Sequence, residues 1–448
     1  MSKPMENDNG VVTDEQQKVR ARDVGFLLFL TFLNFINFVD RQLLSSFANW
    51  IVPELGLSNT QFGLLTGLVF IFFYATMGLL MGALADRVNR TRLIAFGLIL
   101  WSSLTALSGA AKGFASLALP RMFIGVGESV LTPSALSLLS DRFPTRWRGL
   151  AVGIYGMGVP VGVAGSLFTV AYLEPILGWR GCFYLLGGVG IVLAVAMLFI
   201  KETPRRNQSS AGQQTVQKPS FRTIAHTLVT ALRNSPSLLL VVCGAVTANF
   251  IMGASSFDQL WMVEERGFDR LEIAEVTGWL GIVGGVLGNL VGGYGGDVFM
   301  RKTGMGRPAF LALILVALAP INIAFRLVDG DSIWFWLGLT AIFFQIGCFF
   351  GPIFATVQDL VPSNIRATIV GFQVLMIQLI GIGLGVTVGG MTVDWLIAAG
   401  AAEPYSSTLL IFTLVSLVSI PMFFVAGLRF ERDRAALLEK MGASNAGN

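Results

Sequence analysis

Apolar residues in this chain are gathered into long blocks, without the alternation of a half-buried strand or the narrow stripe of a soluble amphipathic helix. Twelve blocks approach the about 20 residues a helix needs to cross the hydrocarbon of a bilayer. They begin near Val24, Thr60, Leu93, Leu117, Leu150, Cys182, Leu238, Ile273, Ala309, Ile333, Ile369 and Thr408. Within lipid every backbone N–H and C=O must be satisfied inside the segment itself, so each block predicts an α-helix. Polar stretches divide the chain into a tail (1–22), a first group of six blocks (23–200), a basic connecting loop (201–236), a second group of six (237–430) and a closing tail (431–448). The expected fold class is an all-α integral membrane protein with twelve transmembrane helices in two six-helix bundles.

Composition supports this class. Of 448 residues, 54% are apolar and 13% charged, against about 25% charged in an ordinary soluble domain. The first 22 residues are too polar for the apolar core of a secretory signal peptide and read as a cytosolic tail. Loops on the cytosolic side carry the excess of Lys and Arg. With the first tail inside, cytosolic segments hold 24 of the 31 basic residues; Lys112, Arg180, Arg266, Arg270 and Arg326 fall in outer loops, and Arg41 and Arg121 lie within helices. A multi-pass protein of the plasma (inner) membrane with both termini cytosolic is expected. The pI near 9.1 reflects that asymmetry, and no basic stripe or motif suggests nucleic acid as a partner. Cys182, Cys243 and Cys348 have no metal-ligand spacing and read as small packing residues.

The two groups of blocks are related. Trp50, Thr66-Gly67, Gly82 and Asp86 recur 211 positions later as Trp261, Thr277-Gly278, Gly293 and Asp297. Asp141, Pro144, Arg148 and Gly153 recur 218 positions later as Asp359, Pro362, Arg366 and Gly371. An even number of helices per repeat gives both halves the same topology, related by an axis along the membrane normal. In the connecting loop Phe221, Ile224, Leu228 and Leu232 share one helical face. An amphipathic helix on the inner leaflet and a plain linker are both open.

Charges inside two blocks carry the candidate chemistry. Asp40 and Arg41 interrupt the first, and Arg121 and Glu128 lie nearly two turns apart on one face of the fourth. An ionisable group in hydrocarbon costs at least about 2.5–3.5 kcal/mol and faces a partner or a wet cavity. Two acids and two bases sum to zero. Glu128 is the expected principal proton site with Asp40 assisting, and Arg41 and Arg121 are alternately paired counter-charges or headgroup anchors; a static neutral cluster that fixes packing is the other possibility. Asp86 ends the second helix, where a carboxylate can sit against the positive N-terminus of a neighbouring helix and latch a gate. If that neighbour is the eleventh helix, the latch closes the cytosolic side.

Gly82-Ala-Leu-Ala-Asp86-Arg87-Val-Asn-Arg90-Thr-Arg92 resembles the signature loop of the major facilitator superfamily, with a weaker copy in Gly293-Tyr-Gly-Gly-Asp297 followed by Arg301 and Lys302. Asn89 stands where the family usually has Gly and is expected to tolerate a left-handed turn. Asn37-Phe-Val-Asp40-Arg41, Arg121 through Gly125-Val-Gly127-Glu128-Ser129, and Arg148 resemble the spinster branch of that superfamily. The resemblance implies the major facilitator fold, a bacterial member and a monomer. It also implies export or redistribution of lysophospholipids or sphingoid lipids, proton-driven in some members. On it, the cytosolic gate comprises Gly82, Asp86, Arg87, Arg90, Asp141, Arg148, Asp297, Asp359 and Arg366.

The second half lacks the tetrad, since the offset places Ile251 and Met252 opposite Asp40 and Arg41. Asn37 with Phe250, Phe257, Phe344, Gln345, Phe349, Gln373 and Met376 are the expected substrate cavity, with apolar walls for an acyl chain facing a charged half for a polar head. Asp258, near the outer end of the seventh helix, is not expected to carry a proton. His226 has no catalytic partner, and no Walker-type run follows a strand. Neither an enzyme nor a cofactor is expected; the proton gradient is the energy source. The functions consistent with the sequence are a proton-coupled lipid transporter working by alternating access, a carrier of small drugs or organic anions, and, from another class, a non-cycling receptor or channel.

Overall fold

A computed structural model describes residues 19–205, 221–362 and 365–443. Eleven helical runs are long and apolar enough to cross a membrane, one of them, Thr145–Leu198, 54 residues long. At 1.5 Å per residue that run would measure about 80 Å, far beyond the about 30 Å of hydrocarbon. It breaks at Gly178, whose φ of 64° suits a residue without Cβ, and makes two passes. The twelve spans are α1 (Ala21–Ser46), α2 (Asn59–Ala85), α3 (Arg90–Ser108), α4 (Phe114–Arg142), α5 (Thr145–Gly156, continued by Gly158–Phe168 and Thr169–Leu173), α6 (Glu174–Leu198), α7 (Pro236–Glu264), α8 (Arg270–Thr303), α9 (Arg307–Leu327), α10 (Ile333–Leu360), α11 (Thr368–Ala398) and α12 (Pro404–Leu437). Each starts within eight residues of the block predicted from the sequence.

Local chemistry sets several of these starts. Ser58 caps α2 by accepting from Gln61 N while the Gln61 side chain accepts from Ser58 N, both at 3.1 Å; such reciprocal capping satisfies two otherwise orphaned donors. Asp269 accepts from Leu271 N and Glu272 N ahead of α8, and those backbone bonds hold its carboxyl below the usual range. Asn89 caps α3 through Arg92 N at 2.9 Å, with an extended backbone (φ −69°, ψ 113°). The left-handed turn expected of Asn89 is therefore absent, and the amide side chain does the work of an N-cap.

With an even number of passes, both ends of the described chain lie on one side, called here the terminal side. Buried apolar residues form three clusters. One combines both bundles on the far side, joining Leu44, Phe62 and Leu65 to Phe257, Trp261 and Val386; the other two each draw their buried members from one bundle alone. The bundles are thus packed together on the far side and separate on the terminal side. Close backbone approach along α2 and α11 depends on glycine: a Cβ on Gly63 would stand 2.7 Å from the Val386 carbonyl oxygen, and one on Gly67 2.6 Å from that of Gly383. The terminal-side half of α5, Thr145–Gly156, and the first turns of α11 pack within their own bundles.

The connecting segment forms a helix, Phe221–Asn234. Its Ala231 is buried, and Leu228 and Leu232 pack against the core of the second bundle, so this part of the apolar face is spent on protein. The side chains of Phe221 and His226 lie outside the described residues. Cys182 and Cys348 are buried as expected, whereas Cys243 is exposed; the packing reading does not hold for it, because its position on α7 faces away from the bundle.

Candidate functional site

Asp40 and Arg41 of α1 and Arg121 and Glu128 of α4 come together inside the first bundle, and none faces lipid. Asp40, Arg121 and Glu128 are buried, and Arg41 is nearly so. Arg41 donates from Nε to Glu128 Oε2 at 3.0 Å, with Nη2 2.9 Å from the same oxygen. Nη2 also lies at the limit of hydrogen bonding, 3.5 Å, from Asn37 Oδ1. The Arg41 guanidinium lies over Tyr74 (4.3 Å to the ring centroid), Phe38 (4.6 Å) and Phe70 (5.3 Å), faces that attract a cation shielded from water.

Arg121 takes a different role from the one its spacing to Glu128 suggests. It donates from Nη2 to the Arg41 carbonyl at 2.8 Å and from Nε to the Leu65 carbonyl at 3.4 Å, and stacks on Phe70. It ties α1, α2 and α4 together. Successive residues of a helix point about 100° apart, and Asp40 accordingly turns away from Arg41, into the bundle beside Trp101 of α3. Among the described residues no cation pairs with Asp40, whose nearest polar neighbour is the Trp101 N–H, and Glu128 Oε1 faces Asn37 without a well-formed hydrogen bond. A buried pair that loses one member leaves an uncompensated charge, so any change in the Arg41–Glu128 contact calls for a proton or another partner.

On the terminal side Arg90 is almost fully buried and uses its whole guanidinium. It pairs with Asp141 and Glu202 and donates to Ser137 Oγ and the Thr203 carbonyl. Glu202 also accepts from Thr91 N, and Arg205 donates to the Ala85 and Val88 carbonyls, so the chain leaving α6 straps the signature loop. Arg148 donates to the Phe143 carbonyl. Gly82 has open space where a Cβ would stand, with one contact at 3.9 Å. Asp86, Arg87 and Arg366 are exposed; the Asp86 N–H donates to the Gly82 carbonyl, and among the described residues no hydrogen bond or ion pair engages its carboxylate. The Asp86 latch to α11 is thus not made in this conformation, in which the terminal sides of the bundles stand apart.

In the second bundle Arg307 bridges Asp297 and Asp359, each at 2.6 Å. It is the structural counterpart of Arg90, 217 positions later, whereas Arg301 and Lys302 had been matched to the signature loop. Six of the seven residues that lengthen the offset from 211 to 218 fall between Asp297 and Arg307, which hides the match. Replacing Arg90 by Ala leaves two partly exposed carboxylates, 16% and 26%, and several buried hydrogen-bonding groups without their cation, and is expected to cost about 1–3 kcal/mol; Arg307→Ala, whose partners are 51% and 41% exposed, should cost about 0–1 kcal/mol. Thermal midpoints in detergent compare the two, and equal losses would contradict the assignment.

The second half also has a buried ion pair. Arg326, assigned from the sequence to an outer loop, lies inside α9, fully buried, and donates from Nη1 to Asp258 Oδ1 at 3.0 Å. It sits in the last turn of α9, one residue before the helix ends, with its guanidinium over Trp261 and Phe325. Of the proposed cavity wall, Phe250, Phe344, Gln345 and Met376 are partly exposed, with Gln345 accepting from Asn322 Nδ2 at 2.6 Å. Phe257, Phe349 and Gln373 are buried. Phe257 meets Phe62 of the first bundle (5.5 Å between centroids) and belongs to the far-side seal; Phe349 packs on Phe350 and Phe423. These aromatics sit where helices cross, so packing takes the side chains that a wall would have exposed. Gln373 is enclosed, and among the described residues neither end of its amide has a hydrogen-bond partner.

A model of the Major Facilitator Superfamily matches residues 30–386. Among curated proteins, the chain is 29% identical over 406 residues to an MFS-type efflux pump of Mycolicibacterium smegmatis, covering 88% of this chain and 90% of that protein. It is 26% identical over 359 residues to protein spinster of Drosophila melanogaster, covering 77% and 57%. Among solved structures, a bacterial homologue of the human lysosomal transporter spinster, in an inward-facing and occupied conformation, superposes with a TM-score of 0.78 at 26% identity, covering 93% of this chain and 99% of that one. Twelve spans in two bundles, the paired loops after α2 and α8, and these likenesses agree: the chain belongs to the Major Facilitator Superfamily and is a spinster-like member by structure.

Proposed function

We propose that this transporter works by alternating access, is driven by protons, and exports or redistributes amphipathic lipids of the lysophospholipid or sphingoid class. The observation that carries the proposal is the buried Arg41–Glu128 pair with a second acid, Asp40, buried in the same bundle and, among the described residues, in no ion pair. Charges so enclosed are costly, and an arrangement that changes with the tilt of the bundles supplies a reason to retain them. Glu128 takes up a proton when Arg41 leaves it, Asp40 assists, and the freed Arg41, already framed by aromatic rings, receives an anionic headgroup. The excess of basic residues in the terminal-side loops supports a reading in which both termini lie in the cytosol of a plasma membrane; on that reading the shape described here is open to the cytosol and sealed outside. The protein acts as a monomer.

The name of the mycobacterial relative, an efflux pump, favours a second substrate class, small drugs or organic anions. Reconstitution into vesicles under an imposed pH gradient separates the two. Gradient-dependent flux of a lysophospholipid or a phosphorylated sphingoid base is expected. Flux of small organic ions that is indifferent to competing lysolipids would replace the lipid assignment, and absence of gradient-dependent flux for either class would overturn the proton-driven mechanism.

A further inference from the structure

We propose that Asp394 is the latch of the far-side gate, a role that rests on the alternating-access reading above. Among the described residues eight hydrogen bonds cross between the bundles, and four of them end on this one carboxylate. From the far end of α11, Asp394 Oδ1 accepts from Asn59 N at 3.1 Å and Asn59 Nδ2 at 3.0 Å, while Oδ2 accepts from Thr60 N at 2.8 Å and Thr60 Oγ1 at 2.6 Å. The other four are an Asn49 bond to the Gln259 carbonyl, Tyr172 to Glu275, Thr387 to the Gly63 carbonyl and Tyr405 to Asn59.

The contact has the chemistry of a reversible clamp. The first N–H groups of a helix are unsatisfied and partly positive, and a carboxylate accepts from them more strongly than a neutral group does. Ser58 satisfies Gln61 N from within α2's own chain; Asn59 N and Thr60 N are left to the opposite bundle. Below the clamp, the glycine contacts at Gly63 and Gly67 bring the α2 and α11 backbones together. Opening the far side must remove Asp394 from α2, and at the membrane surface water can take over both N–H groups. Asp86 ends α2 at the opposite side, so this helix pair carries an acid at each end, and tilting that seats one unseats the other.

The test measures distances between spin labels in full-length chain with Cys182, Cys243 and Cys348 replaced by Ala. One pair, at Lys112 and Ala402, reports on the far side; the other, at Arg146 and Lys302, reports on the terminal side; all four positions are exposed. Asp394→Asn keeps the shape but loses the charge and half of the acceptor capacity. The ratio of far-side-open to far-side-closed molecules is expected to rise at least about tenfold, equivalent to about 1.4 kcal/mol, with shortening on the terminal side. Asp394→Glu, which keeps the charge, should stay mostly closed. An unchanged far-side distance in Asp394→Asn overturns the latch. Lengthening there without terminal-side shortening upholds the latch and overturns the reciprocal motion on which alternating access depends.

Discussion

Glu128→Gln is expected to convert proton-driven accumulation into passive equilibration. Glutamine keeps the length of the side chain and can still accept from Arg41, so the local packing of α1 against α4 should survive. It cannot exchange a proton. If one proton accompanies each substrate molecule, the wild-type protein supports about a tenfold accumulation for each unit of pH difference across the membrane. The variant should bring substrate only to equal concentrations on the two sides, at a rate that no longer follows the gradient. Counterflow and gradient-driven uptake in the same vesicle preparation make the comparison. Undiminished, gradient-dependent accumulation would remove Glu128 from the carrier role.

The second large effect is on stability. Arg41→Ala leaves the Glu128 carboxylate buried opposite Asn37 with its cation gone, and removal of one partner from a buried pair costs about 3–5 kcal/mol. Arg41→Ala combined with Glu128→Gln removes the stranded charge and should recover a large part of that loss. The thermal unfolding midpoint in detergent of the two single variants and the double variant gives the coupling. Losses that simply add would mean that the two side chains do not stabilise one another, despite their 2.9 Å separation.

The twelve spans were legible because lipid imposes length and uniform apolarity on each helix. The meeting of α1 with α4 was also legible, since four charges in hydrocarbon leave few places to go. The finer pairing was not. Nothing in the spacing of Arg121 and Glu128 reveals that backbone carbonyls of Arg41 and Leu65 would claim the arginine, because that depends on how three helices cross. Arg326 was misplaced because a lone cation in the last turn of an apolar block reads as the start of a loop. Arg307 was hidden by an insertion, and Asp394 by being an isolated acid near a helix end whose partners lie more than 330 residues away. Asn89 was recognised as a departure from the family pattern, but for a turn it does not make.

The strap at Glu202, Thr203 and Arg205 fastens one end of the interdomain connection to the first bundle, while Leu228 and Leu232 fasten the other end to the second. The covalent joint therefore lies between two secured ends. Two separately translated polypeptides, divided between 205 and 221, should each insert and then reassemble through the far-side interface alone.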